Sequence, residues 1–281
     1  MNTQKRVAAI HDISGFGKCS LTVALPVISA AGIETAVVPT AVLSAHTAVP
    51  GDTFCLDLTD GISKFTEHWT ELGLHFDAIY TGYLASKRQV AAVCDFIDRF
   101  RSPDTLVIVD PAMADNGKMY SLFDKGFAKA MLPLCKKADI IVPNITEALF
   151  LLGREYKKGP YVREYTDELL GSLGALSGGD VVLTGVNHDE DHIGVACLEQ
   201  KHKKISYTMN RKIDGIFHGT GDVFASALTA AILKGKDLDS AVGIAVGFTV
   251  ESIERTAKGG TDHMYGVDFE SGLSAFGEML K

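Results

Sequence analysis

None of the five cysteines (Cys19, Cys55, Cys94, Cys135, Cys197) stands in a CxxC pair. Neither a disulfide framework nor a zinc knuckle is therefore written into the chain, and that usage fits a reducing cytosol. No apolar run approaches the roughly 18 residues that a membrane-spanning helix needs. Met1 to Arg6 is polar and leads straight into a strand pattern, so it does not read as a signal peptide. A cytoplasmic location is expected. Positive charge is scarce too: 27 Lys and Arg against 35 Asp and Glu give a formal net charge of −8. Such a surface repels nucleic acid and anionic lipid unless a basic stripe interrupts it. The short basic run Lys201-His202-Lys203-Lys204 lies between two strand-like segments and carries no aromatic residue to stack on bases. It reads as a solvated hairpin turn, and neither nucleic acid nor membrane is an expected partner. Linkers, low-complexity tracts and internal repeats are also missing, so one domain over 1–281 is expected.

What the chain does have is an ordinary globular composition, 46% hydrophobic with 28 glycines and 8 prolines. Short β-rich runs alternate with amphipathic stretches. Val7–Ile10, Thr35–Pro39, Ala78–Thr81, Leu106–Asp110 and Ile140–Val142 read as strands buried on both faces of a parallel sheet. Helices are expected near Cys19–Ala31, Leu56–Leu72, Lys87–Phe100, Ser121–Lys136 and Thr146–Leu152. Val181–Thr184, Ile193–Leu198 and Ile205–Met209 then follow with short links, which predicts an antiparallel edge. Two alanine-rich helices, about Gly221–Leu233 and Ser240–Arg255, close the pattern. Repeated β-α units predict an α/β fold, in which ligands sit at the carboxyl ends of the strands.

Several polar residues fall at those ends. In His218-Gly219-Thr220-Gly221-Asp222, two glycines precede an apolar helix, an arrangement that can hold an anion on free backbone amides. Asp222 could take a proton from an alcohol there, or could merely cap the helix. Asp110-Pro111 could hold Mg²⁺ through water or start a turn. In Pro143-Asn144-Ile145-Thr146-Glu147, Asn144 and Glu147 have capping-box spacing, which does not exclude a role toward a hydrated metal. The loop His11-Asp12-Ile13-Ser14-Gly15-Phe16-Gly17-Lys18 matches neither GxxxxGK(S/T) nor GxGxxG, so its polar groups suit a substrate better than a nucleotide. Asn187-His188-Asp189-Glu190-Asp191-His192 could suggest a metal site but reads as a solvated turn.

The order of these segments resembles the ribokinase-like superfamily, and within it the vitamin B6 (pyridoxal/pyridoxamine) kinases. The resemblance runs from Arg6 to about Thr261. Besides the segments above it rests on Ser44-Ala45-His46-Thr47, Thr81-Gly82-Tyr83-Leu84, Asp110-Pro111-Ala112-Met113 and Leu183-Thr184-Gly185. It implies a three-layer α/β/α domain with a mostly parallel central sheet and an antiparallel edge, and a homodimer. It also implies phosphorylation of the 5′-hydroxymethyl group of a B6 vitamer by ATP with Mg²⁺; some relatives are stimulated by a monovalent cation such as K⁺. By that resemblance Asp222 would be the base, and Gly219, Thr220 and Gly221 would stabilise the transferring phosphoryl group. Asp110, Asn144, Glu147 and Thr184 would serve ATP, with Asp110 and Glu147 also positioning the metal. Asp12, Ser14, His46, Thr47 and Tyr83 would line the pyridine pocket. This chain departs from the pattern at Ala48-Val49-Pro50-Gly51-Asp52, where relatives carry a Gly-Gly-aromatic run, and at Ala112, where Val is usual. Asp222 sets it apart from dual-specificity relatives with Cys at that position. Hydroxymethylpyrimidine kinase, a sugar or nucleoside kinase, and a non-catalytic vitamer sensor are the other readings; a dehydrogenase lacks its fingerprint.

Overall fold

The computed structural model describes residues 4–47, 49–120, 123–124, 126–260 and 263–281. The first half of the chain runs β1 (Arg6–Ser14), α1 (Leu21–Ala30), β2 (Glu34–Leu43), β3 (Cys55–Asp57), α2 (Thr59–Glu71), β4 (Ala78–Thr81) and α3 (Lys87–Phe100). Next come β5 (Leu106–Val109), the small hairpin β6 (Ala114–Asp115) and β7 (Lys118–Met119), α4 (Phe127–Cys135), β8 (Ile140–Ile141), α5 (Ile145–Leu151) and α6 (Arg163–Ser177). The last part is β9 (Asp180–Val186), β10 (His192–Glu199), β11 (Lys204–Arg211), α7 (Thr220–Leu233), α8 (Leu238–Gly259) and α9 (Leu273–Met279).

Nine strands form one sheet in the order β11-β10-β9-β8-β5-β4-β1-β2-β3. The six from β9 to β2 pair in parallel. Alternation along each strand explains the three layers. Ile79, Val107 and Val109 point into one core with residues of α3 to α6, while Tyr80 and Ile108 point into the other with α1, α7 and α8. Burial of each such aliphatic side chain contributes about 1.5–3 kcal/mol, which is why these runs settle only between two helical layers. No helix among the described residues is long and apolar enough to cross a membrane. The five cysteines are free thiols.

The antiparallel edge forms as β9-β10-β11, and the opposite edge is antiparallel as well, through β3. This corrects the expected Leu56–Leu72 helix. Cys55–Asp57 pairs with Leu43–Ala41, and Asp57 Oδ1 then accepts the Thr59 N–H at 2.7 Å, so the helix starts only at Thr59. Leu56 fits the helical period by spacing alone and is half exposed on the edge strand. The helix expected over Ser121–Lys136 is α4, beginning at Phe127; Ser121, Leu122 and Lys125 lie outside the described residues. Neither α6 nor α9 was expected. Gly171, Ser172 and Gly174 inside α6 weaken its intrinsic propensity, and its packing supplies the rest.

Candidate active site

The carboxyl ends of the parallel strands open onto a cavity of about 670 Å³. Every residue expected at the site lines it: Asp12, Ser14, His46, Thr47, Tyr83, Asp110, Asn144, Glu147, Thr184 and Gly219 to Asp222. Their places in the elements differ in two respects from the sequence reading. Asp12 and Ser14 belong to β1 rather than to the loop after it, and the strand expected to end at Thr184 runs on to Val186 as β9. The β1–β2 register shifts between His11 and Ile13 opposite Pro39, which has no N–H to give the ladder. Such a break re-aims side chains, and here it falls on Asp12.

α7 begins without a side-chain cap. Its N-cap is Gly219, at φ 74°, and Asp222 is the third helical residue rather than the cap. The two glycines serve different ends. A Cβ on Gly219 would stand 2.0 Å from the Lys18 carbonyl oxygen, so both the turn and the contact demand glycine. A Cβ on Gly221 would meet nothing within 4 Å. The first glycine closes the fold, and the second leaves open space in front of the helix amides, where an anion can approach.

The electrostatics of the cavity are dominated by carboxylates. Asp12, Asp110, Asp115, Glu147 and Asp222 line it, against Arg211 and Lys212 at the β11 end. Burial pushes the Asp222 carboxyl up to about 7, opposed by a hydrogen bond from the Ser20 backbone and assisted by the charge of Asp12. Asp110 is held well above the usual carboxylate range by burial, then by the charges of Glu147 and Asp222. Among the described residues no donor reaches its carboxylate. Glu147 is buried and pushed up to about 8 by desolvation. Three backbone amides oppose that shift: Oε1 accepts from Met113 at 2.9 Å and Ala114 at 3.4 Å, and Oε2 from Asn144 at 2.9 Å. Asn144 Oδ1 in turn accepts from the Glu147 N–H, completing the capping box, and its Nδ2 donates to the Ala114 carbonyl. The side chain of Asn144 is thus engaged in architecture.

At the β1–β2–β4 end, Asp12 Oδ1 accepts from Ser20 Oγ at 2.6 Å and Oδ2 from Ser14 Oγ at 3.1 Å. Burial raises the Asp12 carboxyl, and these two hydroxyls counter it. His46 Nε2 donates to the Met264 carbonyl at 2.7 Å, and its ring lies 5.4 Å from that of His218. Burial holds the His46 imidazole below its ordinary value. Tyr83 Oη is buried without a hydrogen-bond partner among the described residues, facing the cavity. Thr184 sits under Asn144, its N–H donating to the Pro143 carbonyl at 2.9 Å.

Sequence reasoning gave no role to Cys19, Ser20, Tyr120 or His218, nor to an apolar wall of Phe217, Val246, Val250 and Ile253 that extends the cavity along α8. The spacing of that wall is a helical stripe that looks like core packing. The segment Asn187–His192 is a turn: Asp189 Oδ1 accepts from the backbone of Asp191 and His192, each at 2.8 Å. No cluster of three or more metal-ligating side chains occurs among the described residues.

An uncapped helix N-terminus, a carboxylate in its first turn and a cavity of about 670 Å³ are the parts that a phosphotransferase of the α/β class uses. The signature of the phosphomethylpyrimidine kinases matches residues 25–266. A Bacteroides thetaiotaomicron protein assigned to phosphomethylpyrimidine kinase, crystallised with pyridoxal, is 38% identical, with a TM-score of 0.93 over 98% of this chain and 96% of its own. Pyridoxal kinase from Lactobacillus plantarum is 30% identical, with a TM-score of 0.91 over 99% and 98%. The hydroxymethylpyrimidine/phosphomethylpyrimidine kinase of Bacillus subtilis is 30% identical over 66% of this chain and 67% of its own length. The chain belongs to the phosphomethylpyrimidine/pyridoxal kinase family, on the ribokinase-like fold.

Proposed function

We propose that this kinase transfers the γ-phosphoryl group of ATP to the 5′-hydroxymethyl group of a vitamin B6 vitamer: pyridoxal, pyridoxamine or pyridoxine. The observation that carries the reading is Asp222, a buried carboxyl in the first turn of an uncapped helix, pushed up to about 7 by desolvation. As the alcohol oxygen attacks the γ-phosphorus, its proton passes to Asp222 and the bond to ADP breaks. The amides at Gly219 to Asp222 face the charge on the transferring group. The wall formed by Val246, Val250 and Ile253 suits the nucleobase, and Thr184 the sugar-phosphate side. Asp12, Ser14, His46, Thr47 and Tyr83 suit the acceptor ring.

Five carboxylates would repel a polyphosphate in this cavity unless a divalent cation accompanied it, so the donor set fits Mg²⁺. Asp110, with no donor on its carboxylate among the described residues, would hold the hydrated ion, and Glu147 would back it from its amide clasp; Mg²⁺ ordinarily keeps waters and phosphate oxygens as its other ligands. When bound it would neutralise charge on the phosphates. The same family reading implies a homodimer, which sedimentation of the purified chain tests.

A second reading, hydroxymethylpyrimidine as the acceptor, is supported by the family signature and shares the same base and donor. An ATP-coupled assay across the three vitamers, hydroxymethylpyrimidine and ribose separates them. Turnover of a vitamer with kcat/KM at least tenfold above hydroxymethylpyrimidine is expected; the reverse ranking overturns the first reading in favour of the second.

A further inference from the structure

Ser20 is the least expected residue in the cavity. It precedes α1 and is 6% exposed, with φ 55° and ψ −128°. That backbone region belongs to glycine, and a serine remains there only when its surroundings hold it. As an N-cap it would ordinarily turn its hydroxyl onto the helix amides, yet it makes no such bond. Each of its polar groups is engaged elsewhere. The hydroxyl donates to Asp12 Oδ1 at 2.6 Å, and the Ser20 backbone lies by the Asp222 carboxyl and favours its ionised form. The carbonyl accepts from Val23 and Ala24, at 3.1 and 2.9 Å, and so starts α1. An isolated antiparallel bridge to Ile13 fixes it against the end of β1. The relaxed alternative, a capping serine with its hydroxyl on the helix amides, would give up the bond to Asp12. Strain at a functional site of this kind points to a task that the relaxed conformation cannot perform.

We propose that Ser20 is a positioning residue for phosphoryl transfer: its hydroxyl fixes the Asp12 carboxylate while its backbone lies by Asp222, so that the two acids stand in one fixed relation. The acceptor-binding end of the cavity and the base are thereby set by a single residue. The inference rests on the reading of Asp222 as base and Asp12 as an acceptor-side group. It has a specific signature. Loss of the hydroxyl frees Asp12, so the acceptor is held less well while the nucleotide is not affected.

Ser20→Ala removes the hydroxyl and keeps the unfavourable backbone; Ser20→Gly removes the same hydroxyl and relieves the strain. Steady-state kinetics with ATP and the preferred acceptor, together with thermal midpoints, are the measurements. Both variants are expected to raise the acceptor KM about tenfold or more, the scale of a hydrogen bond to a charged group, with the ATP KM unchanged within about twofold. Ser20→Gly should melt higher than Ser20→Ala yet be equally impaired, which a purely structural role would not produce. Placed on Asp12→Asn, neither should raise the acceptor KM further. If Ser20→Ala does not fold, Ser20→Gly decides. An unchanged acceptor KM in folded Ser20→Gly, an equal rise in both KM values, or a fully additive loss on Asp12→Asn would overturn the inference. Undiminished turnover in Asp222→Asn would remove the base and this inference with it; loss of turnover there, with normal Ser20 variants, would remove this inference alone.

Discussion

Glu147 accepts the backbone N–H of Met113 at 2.9 Å, tying the first turn of α5 to the segment that follows Asp110. The same carboxylate closes the capping box with Asn144, so one side chain holds two of the loops that floor the cavity. Glu147→Ala strips an acceptor from three buried amides and should cost about 2–4 kcal/mol, from lost capping and unsatisfied donors. Urea denaturation measures it. A loss below about 1 kcal/mol would mean that the clasp is dispensable.

Stability should also follow the protons on the buried acids. Folding raises Glu147 from 4.5 to about 8 and Asp222 from 3.8 to about 7, and it raises Asp110 as well. The folded chain therefore binds these protons more tightly than the unfolded one. That contribution is complete below the unfolded values and is lost as pH rises through the folded ones. Thermal midpoints should fall from about pH 5 to about pH 8, and Mg²⁺ with ATP should flatten the fall by favouring the ionised carboxylates. A midpoint that rises over this range would contradict the assignment.

Asp222→Asn should lower kcat by about 10²–10⁴ while leaving nucleotide affinity largely intact. In the unaltered enzyme kcat/KM should decline as pH drops through about 7, where the base becomes protonated. Single-turnover kinetics and a pH–rate profile check both. An unaltered kcat would exclude Asp222 from the chemistry.

The two glycines before α7 should respond in opposite ways to one methyl group. Gly219→Ala collides with the Lys18 carbonyl in a left-handed backbone and should lower the thermal midpoint sharply. Gly221→Ala meets no protein atom, so it should fold normally and weaken phosphate binding. Calorimetry beside ATP titration separates them; equal destabilisation would show that the space before Gly221 is not kept for a ligand.

Tyr83→Phe removes a hydroxyl that no described residue uses. Stability should hold or rise slightly, while the acceptor KM rises and the ATP KM does not. A change confined to ATP would move Tyr83 out of the acceptor end.

The legible parts of this chain were those where local chemistry and tertiary demand agree. Leu106–Val109 is a strand because an unbroken apolar run has no other stable place, and Asn144 with Glu147 forms a capping box because their spacing permits little else. α3 fell on its predicted bounds, with Ser86 as a working cap. Cys55–Asp57 was unreadable because an edge strand is made by its partner, not by its own period. Ser20 was unreadable because its left-handed backbone goes with tertiary partners, Asp12 and Ile13, that no local pattern announces. The wall on α8 carries the same side chains that a core helix would, and only the direction it faces gives it a different use.

The contact between Gly219 and the Lys18 carbonyl has a consequence for how the enzyme is made. It joins segments about two hundred residues apart, so the candidate site is among the last features a growing chain can assemble. A ribosome-bound chain that had emerged only as far as β11 would carry every strand of the nine-stranded sheet but neither Asp222 nor the helix N-terminus proposed to receive phosphate. Until α7 docks, the cavity lacks one of its walls, Gly219 to Asp222, and on the proposed reading could not yet turn over nucleotide.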